Sequence, residues 1–179
     1  PQKLKSLPLS GGKKPERIYP QKSANKGLKV ISLRKMKLSE LPDSILRHPN
    51  LKKLDLSKNR FKSVPIQIKS LRNLEELDLS KNEIETLPHW LGELPHLKVL
   101  KLSHNKLDSL IIPPKSYPSL EYLDFWESEL KYLDPAICQL PQLKMIDLRH
   151  TYLGTRNLEW LYECLGKERI ESTWGCDCD

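Results

Sequence analysis

Four aspartates recur at a fixed place along the chain and are the first candidates for chemistry. Asp55 and Asp78 lie 23 residues apart, as do Asp124 and Asp147, and Lys101 holds the equivalent place between the two pairs. Neighbouring carboxylates can bind Ca²⁺ or act as an acid and base pair. Because lysines interleave with them and the sequence indicates no enclosed cleft that would shift a pKa, we expect a solvated charged face instead.

Other reactive residue types lack the arrangements that catalysis requires. Ser103, His104 and Asp124 have the composition of a nucleophilic triad, but their positions suggest an open sheet without an oxyanion hole. The 7 glycines form no phosphate-binding loop, and no histidine belongs to an HExxH zinc motif. We therefore predict a protein that is not an enzyme and that uses no cofactor and no metal ion.

An internal repeat in the sequence predicts the secondary-structure elements on which these residues lie. Blocks of the type LxxLxLxxNxL start every 23 residues, at Leu28, Leu51, Leu74, Leu97, Leu120 and Leu143. The alternating leucines are typical of a short strand with one buried face. The segment that follows, such as Leu87-Pro88 with Leu91 and Leu94, suits a turn of helix or 3₁₀ helix. Each repeat, named coil 1 to coil 6 in chain order, is predicted to be one turn of a solenoid.

Stacking of the coils gives the predicted architecture. One coil buries too little apolar surface to fold alone, so neighbouring coils must share a core. We expect an α/β right-handed solenoid in a horseshoe arc, with one parallel sheet on the concave face and short helical, 3₁₀ or extended segments on the convex face. Asn59, Asn82 and Asn105 follow their strands at one place, whereas coil 1 has Met36 there and is expected to have a looser or differently braced turn.

The combined pattern LxxLxLxxNxLxxLPxxIxxLxx resembles the leucine-rich repeat superfamily. Within it, the pattern is similar to the 23-residue LPxxI class of Ras-suppressor-like and LAP-type scaffolds and of many bacterial repeat proteins. The resemblance covers Leu28 to Leu153. It implies that a ligand meets the concave sheet and that the three asparagines form a structural ladder along the coils.

Three regions are expected: residues 1–27 as a degenerate N-terminal coil or cap, 28–153 as six repeats, and 154–179 as a C-terminal cap. The spacing of Leu158, Leu161 and Leu165 predicts a helix in that cap. The tail around Cys176 and Cys178 is similar to the start of the cysteine-rich cap of extracellular leucine-rich repeat proteins. Candidates for a disulfide are Cys138, Cys164, Cys176 and Cys178, with free thiols or a zinc site as the alternatives.

Outward positions of coils 4 to 6 predict the partner-binding site. They carry aromatic side chains flanked by polar and charged ones, which is the composition of an interaction hot spot. The predicted residues are Val99, Lys101, His104, Tyr122, Asp124, Trp126, Met145, Asp147, Arg149, His150 and Tyr152. In the alternative interpretation, Trp126 folds over the end of its own strand.

The leading hypothesis is a protein–protein interaction module that binds a protein partner, or less favourably a glycan, on its concave face. A structural or spacer segment of a larger protein is one alternative. Another is an anionic-polymer binder, because residues 1–37 hold eleven basic side chains and one acidic one, a net +10. Nucleic acid is not the expected partner.

Location is predicted from the cysteines and from hydropathy. No apolar run approaches the roughly 20 residues of a membrane helix, so no membrane span is expected. Three of the 4 cysteines lie near the C-terminus, and no Asn begins an N-x-[ST] acceptor. These features favour a secreted or surface protein of the bacterial periplasm or cell surface, with a cytoplasmic scaffold as the alternative.

Overall fold

The computed structural model of the protein describes residues 27–172. Predictions for residues 1–26, and for Cys176 and Cys178, lie outside the described residues. The strands are β1 (Val30–Ser32), β2 (Lys53–Asp55), β3 (Glu76–Asp78), β4 (Val99–Lys101), β5 (Ser109–Leu110), β6 (Tyr122–Asp124), β7 (Tyr132–Leu133), β8 (Met145–Asp147) and β9 (Ile170–Glu171). The helical segments are the α-helix α1 (Thr155–Leu165) and 3₁₀ turns at Asp43–Arg47, Ile66–Ser70, His89–Glu93, Pro135–Gln139 and Lys167–Arg169.

One parallel sheet runs the length of the described chain. Its seven strands follow the order β1-β2-β3-β4-β6-β8-β9. The register equals the sequence period, since Leu54 pairs with Leu77 and Leu77 with Leu100. The predicted solenoid with a parallel sheet is therefore confirmed.

A continuous apolar core lies between the sheet and the opposite wall. Leu54, Leu77 and Leu100 are at most 1% exposed and point from the sheet into this core. From the opposite wall, Ile45 and Ile68 of the 3₁₀ turns are fully buried. A proline precedes each of these turns, where it ends the extended segment and its missing N–H costs no helical hydrogen bond.

Coil 4 departs from the other coils on its outer wall. Pro113 and Pro114 remove two backbone donors, and no 3₁₀ turn forms in residues 111–119. Instead β5 pairs in parallel with β7 in a second, two-stranded sheet. Tyr117 adopts a left-handed backbone (φ 53°) and donates its N–H to the Gly92 carbonyl at 2.7 Å. Its ring is buried, and this burial raises the pKa of the Tyr117 phenol.

Three buried asparagines brace the coils. Asn82 donates from Nδ2 to the carbonyls of Leu56, one coil back, and of Leu79 in its own coil, at 3.1 and 2.8 Å. Asn59 and Asn105 repeat this pattern in their coils. In coil 5 Ser128 takes this place, and its buried hydroxyl has no hydrogen-bond partner among the described residues.

The third residue after the first strand of each coil adopts a left-handed backbone, although none of these six residues is glycine. We name this set the turn row: Lys35, Lys58, Lys81, His104, Glu127 and His150, with φ between 50° and 61°. In coils 1 to 5 the backbone N–H of this residue donates to a carbonyl of the next coil, so that Lys58 donates to Ser80 at 2.9 Å and His104 to Trp126 at 3.0 Å. Coil 1 has a second left-handed residue, Lys37, so its turn does differ from the others.

The C-terminal helix closes against the outer wall. Leu158, Leu161 and Leu165 of α1 are buried. A disulfide joins Cys164 of α1 to Cys138 of coil 5, with the Cα atoms 5.8 Å apart. Beyond the helix, β9 pairs with β8, so the chain returns to the sheet. The cap is thus fastened to both walls.

Candidate partner-binding surface

The strand-end aspartates hold the turns that follow them. The Oδ1 of Asp55 accepts hydrogen bonds from the backbone N–H and the hydroxyl of Ser57, at 2.9 and 2.6 Å. The same pair of bonds recurs in coil 3. In coil 5, Asp124 accepts the N–H of Trp126 at 2.9 Å. These carboxylates therefore shape the exposed turns, as aspartates do in Asx turns.

Asp124 forms no ion pair with any residue between 27 and 172. Lys101 pairs in register with Asp78 and Asp124, but its ammonium lies 3.4 Å from Glu76 of β3. Burial raises the pKa of the Asp124 carboxyl, and the carboxylates of Asp147 and Asp78 raise it further. Asp124 is thus a partly desolvated acid whose charged form is disfavoured by its surroundings.

Asp147 differs from the expectation of a solvated, partner-facing carboxylate, because it is only 2% exposed. Arg149 covers it and donates from Nε and Nη2 to its two oxygens, at 3.0 and 2.6 Å. The same guanidinium lies 2.9 Å from Glu171 of β9. Asp147, with Glu171, raises the pKa of the Arg149 guanidinium. Arg149, and not Asp147, is therefore the group that this coil presents to solvent.

Ser103, His104 and Asp124, which were not expected to form a triad, are not arranged as one in the structure. Ser103 is buried, and its hydroxyl bonds directly to the Asp124 carboxylate. His104 turns away and its Nδ1 lies 2.9 Å from Glu127. The serine hydroxyl therefore has no histidine base bonded to it, and the three side chains do not form a Ser-His-Asp relay.

Trp126 lies across the turn row of the preceding coils. Its ring meets the His104 ring edge to face, with centroids 4.6 Å apart and planes at 79°. Lys81, two coils back, places Nζ 6.0 Å from the indole centroid. Because Glu127 holds His104, the indole rests on a side chain that is itself fixed. The indole is partly exposed, so it packs against a neighbouring coil while still presenting surface to solvent.

Apolar side chains continue beside Trp126 on the sheet. Val99, Tyr122 and Met145 pair in register across β4, β6 and β8, and each is partly exposed. Burial raises the pKa of the Tyr122 phenol, as do nearby carboxylates, so its hydroxyl is a neutral donor at pH 7. At the rim, His150 is exposed and Tyr152 is 69% exposed. Val99, Tyr122 and Met145 therefore form one partly exposed row on the sheet, whereas Asp147, which was predicted for the same surface, is covered.

Three residues of this surface were not predicted from the sequence. Lys81 and Glu127 contact the Trp126 and His104 pair, and Glu171 shares Arg149. The period could have revealed the first two, because Lys81, His104 and Glu127 are spaced by 23 residues. Glu171 lies after the last repeat, so no period pointed to it.

Within residues 27–172, no group of three or more His, Cys, Asp or Glu side chains is arranged to hold a metal ion. In the same part of the chain, no helix has the length and apolar character needed to cross a membrane. Of the four cysteines, Cys138 and Cys164 are joined.

The fold and this surface define an open repeat solenoid that displays side chains from adjacent coils on one sheet. The comparisons identify which solenoid it is: the leucine-rich repeat family model matches residues 49–107. The chain thus contains leucine-rich repeats and has the fold of a leucine-rich repeat solenoid. Domains of this superfamily commonly serve protein interaction and are generally non-enzymatic. No curated protein sequence matches the chain significantly.

Solved structures of bacterial leucine-rich repeat proteins resemble the chain. LRR protein LIC12759 of Leptospira interrogans superimposes with a TM-score of 0.55 at 28% identity, over 82% of this chain and 49% of that one. The functional domain of InlJ from Listeria monocytogenes, which includes a cysteine ladder, gives a TM-score of 0.60 at 21% identity, over 83% of this chain and 30% of that one. The chain thus spans about half of the first protein and less than a third of the second.

Proposed function

We propose that this chain is a recognition module that binds a protein partner on the sheet face of coils 4 to 6. The observation that carries the proposal is the packing of Trp126 against His104 beside the partly exposed row of Val99, Tyr122 and Met145. Large aromatic side chains supply much of the binding energy at protein interfaces. Polar and charged groups, among them Arg149 and Lys101, border this row as the rim of an interface does.

Rigidity supports the same proposal. The backbone of Trp126 is held by Asp124 and its ring by His104, which Glu127 holds in turn. A side chain that is already ordered loses little entropy when a partner arrives. The surface works by presenting side chains that are already held in place.

The chemistry of the surface also indicates what the partner presents. Asp124 is partly desolvated and forms no ion pair with a described residue, while Tyr122 and Trp126 lie two residues before and after it along the chain. A lysine or arginine side chain of a partner would neutralise the carboxylate and contact the aromatic faces. A glycan would use the aromatic faces but not the charge.

We further propose that the protein works outside the cytoplasm, in the periplasm or at the cell surface. The support is the Cys138–Cys164 disulfide, because such bonds persist in oxidising compartments and are rare in the cytosol. Counting free thiols in protein isolated from its native source under acid quench tests this. Four free thiols would contradict an oxidising location.

Affinity capture with matched variants tests the binding proposal. The wild-type chain, Trp126→Ala and the control Tyr132→Ala are used as baits, and the captured protein is purified and titrated against each. Tyr132 is 47% exposed but lies in β7, outside the main sheet. We expect Trp126→Ala to weaken binding by more than about 2 kcal/mol and Tyr132→Ala to leave it unchanged. Equal affinity for all three chains, or capture of no protein, would remove this surface from consideration.

A further inference from the structure

Lysines at the amino ends of the strands are neutralised by glutamates of the neighbouring coil. Lys52 and Lys98 both pair with Glu75, the second at 3.6 Å, and Lys144 lies 2.7 Å from Glu121. These pairs lower the pKa of both glutamates. Along this edge the protein balances its own charge.

The opposite edge is different in coils 1 and 2. The turns that follow β1 and β2 carry six exposed cations and no acid between Leu33 and Leu38 or between Leu56 and Ser63. We name this set the basic rim: Arg34, Lys35, Lys37, Lys58, Arg60 and Lys62. None of them forms an ion pair with another described residue.

The backbone places these cations next to one another. Lys35 donates its N–H to the Ser57 carbonyl at 3.0 Å, and Arg60 donates to Leu38 at 2.8 Å, so the two turns are hydrogen-bonded together. Neighbouring parallel strands lie about 4.8 Å apart. Like charges at such spacing repel, and a bound polyanion would relieve that repulsion.

We propose that the basic rim binds an acidic polysaccharide, meaning a chain of sulfated or carboxylated sugars. Charge complementarity is the first reason: six unpaired cations on two adjacent turns match closely spaced anions along a polymer. Coil 3 bounds the site, because Glu83 and Glu85 reverse the sign of the charge there. The site is separate from the partner-binding surface of coils 4 to 6 and does not depend on it.

Two other polyanions fit the rim less well. Single-stranded nucleic acid binds where aromatic side chains stack on the bases, whereas the one aromatic residue of these two turns, Phe61, is 1% exposed. An anionic membrane requires apolar insertion beside the charge, and Met36, at 40% exposure, is the one large apolar side chain exposed in these turns. The Cys138–Cys164 disulfide also favours a compartment in which polysaccharides are more available than nucleic acids.

Heparin is the probe for the test, titrated against the full chain at two salt concentrations. The rim variant is Lys35→Asn with Lys58→Asn, because asparagine tolerates the left-handed backbone at both positions. The control variant is Lys98→Asn with Lys144→Asn, which makes the same change in net charge on the paired edge. The basic residues 1–26 are present in every chain, so they cannot account for a difference between variants.

We expect the rim variant to bind heparin about tenfold more weakly than wild type, with a shallower salt dependence, and the control to stay within about twofold. Trp126→Ala should bind heparin normally, which separates this site from the partner-binding surface. An equal loss of heparin affinity in both lysine variants would show a general effect of net charge and would overturn the proposal that the basic rim is the binding site. Tighter binding of a single-stranded oligonucleotide, or of phosphatidylglycerol vesicles, than of heparin would overturn the ligand class.

Discussion

The side-chain oxygen of Asn82 accepts a hydrogen bond from the backbone N–H of Phe61, one coil earlier, at 3.1 Å. The Nδ2 of the same asparagine donates to carbonyls of both coils. One buried amide therefore satisfies both donors and acceptors that the turns leave unpaired. Each asparagine joins only two neighbouring coils, but the same arrangement recurs at Asn59 and Asn105. The stability of the solenoid therefore depends on each of these amides.

Replacement of Asn82 by Ala should destabilise the protein by about 2–3 kcal/mol, because buried backbone groups lose their partners without gaining water. The loss is measured as a lower urea midpoint in unfolding followed by circular dichroism. The control is Asn73→Ala: Asn73 is exposed and makes one bond, to the Pro49 carbonyl at 3.0 Å. A loss as large for Asn73→Ala as for Asn82→Ala would contradict the role of burial.

Gly92 should not tolerate a side chain. It is buried in the 3₁₀ turn of coil 3, where a Cβ would lie 2.5 Å from the Ser116 Cβ and 3.2 Å from the Tyr117 ring. Gly92→Ser is expected to cost about 1–3 kcal/mol through overpacking. Gly154→Ser is the matched control, because a Cβ there meets nothing within 4 Å and serine is a good N-cap for α1. The melting temperatures of the two variants are compared by thermal unfolding, and that of Gly92→Ser should be the lower. Similar melting temperatures would contradict the prediction.

Reduction of the Cys138–Cys164 bond should loosen the C-terminal cap before the repeats. The two cysteines are 26 residues apart, and closing a loop of that length contributes about 3.5 kcal/mol in the chain-entropy model. Hydrogen exchange is compared with and without reductant, in a background with Cys176→Ser and Cys178→Ser. We expect the amides of α1 to lose protection while those of β2 and β3 keep theirs. Equal loss of protection in β2 and α1 would show that the bond stabilises the chain as a whole.

Ionisation of Asp124 should cost stability. Burial, with repulsion from Asp147 and Asp78, holds its pKa above the usual value in the native state, so the folded protein binds a proton more tightly than the unfolded chain. This contribution favours folding below the unfolded pKa, near 3.9, and is lost as the pH rises through the raised folded pKa. Asn at this position keeps the acceptor for the Trp126 N–H and removes the charge. Asp124→Asn should therefore match wild type near pH 4 and gain on it toward pH 7 in urea unfolding.

The opposite pH trend in that comparison, with Asp124→Asn losing stability relative to wild type as the pH rises, would mean that a cation compensates Asp124 in solution. Lys101 is the candidate for this role, since it lies in register with Asp124. A double variant with Lys101→Gln would then restore the expected trend.

The period of 23 residues was sufficient to predict the sheet, its register and the buried leucines, because every coil buries the same positions against its neighbours. Coil 4 escaped prediction on its outer wall, where Pro113 and Pro114 replace the usual pattern by an extended segment. The burial of Asp147 also escaped, because it depends on Arg149 and on Glu171 beyond the repeats. Contacts between residues at equivalent positions of the repeat could be predicted from the period. Contacts that depend on the direction of one side chain, or on residues of the cap, could not.

Lysine, histidine and glutamate all occupy the turn row in the same left-handed conformation, and in each of coils 1 to 5 the backbone N–H makes the same bond to the next coil. The backbone hydrogen bonds between coils therefore do not depend on which side chain occupies this position. A solenoid of this kind can change the side chains along its turn row one position at a time while the fold stays the same. Here the row is cationic in coils 1 to 3, and in coil 4 its histidine supports an aromatic ring.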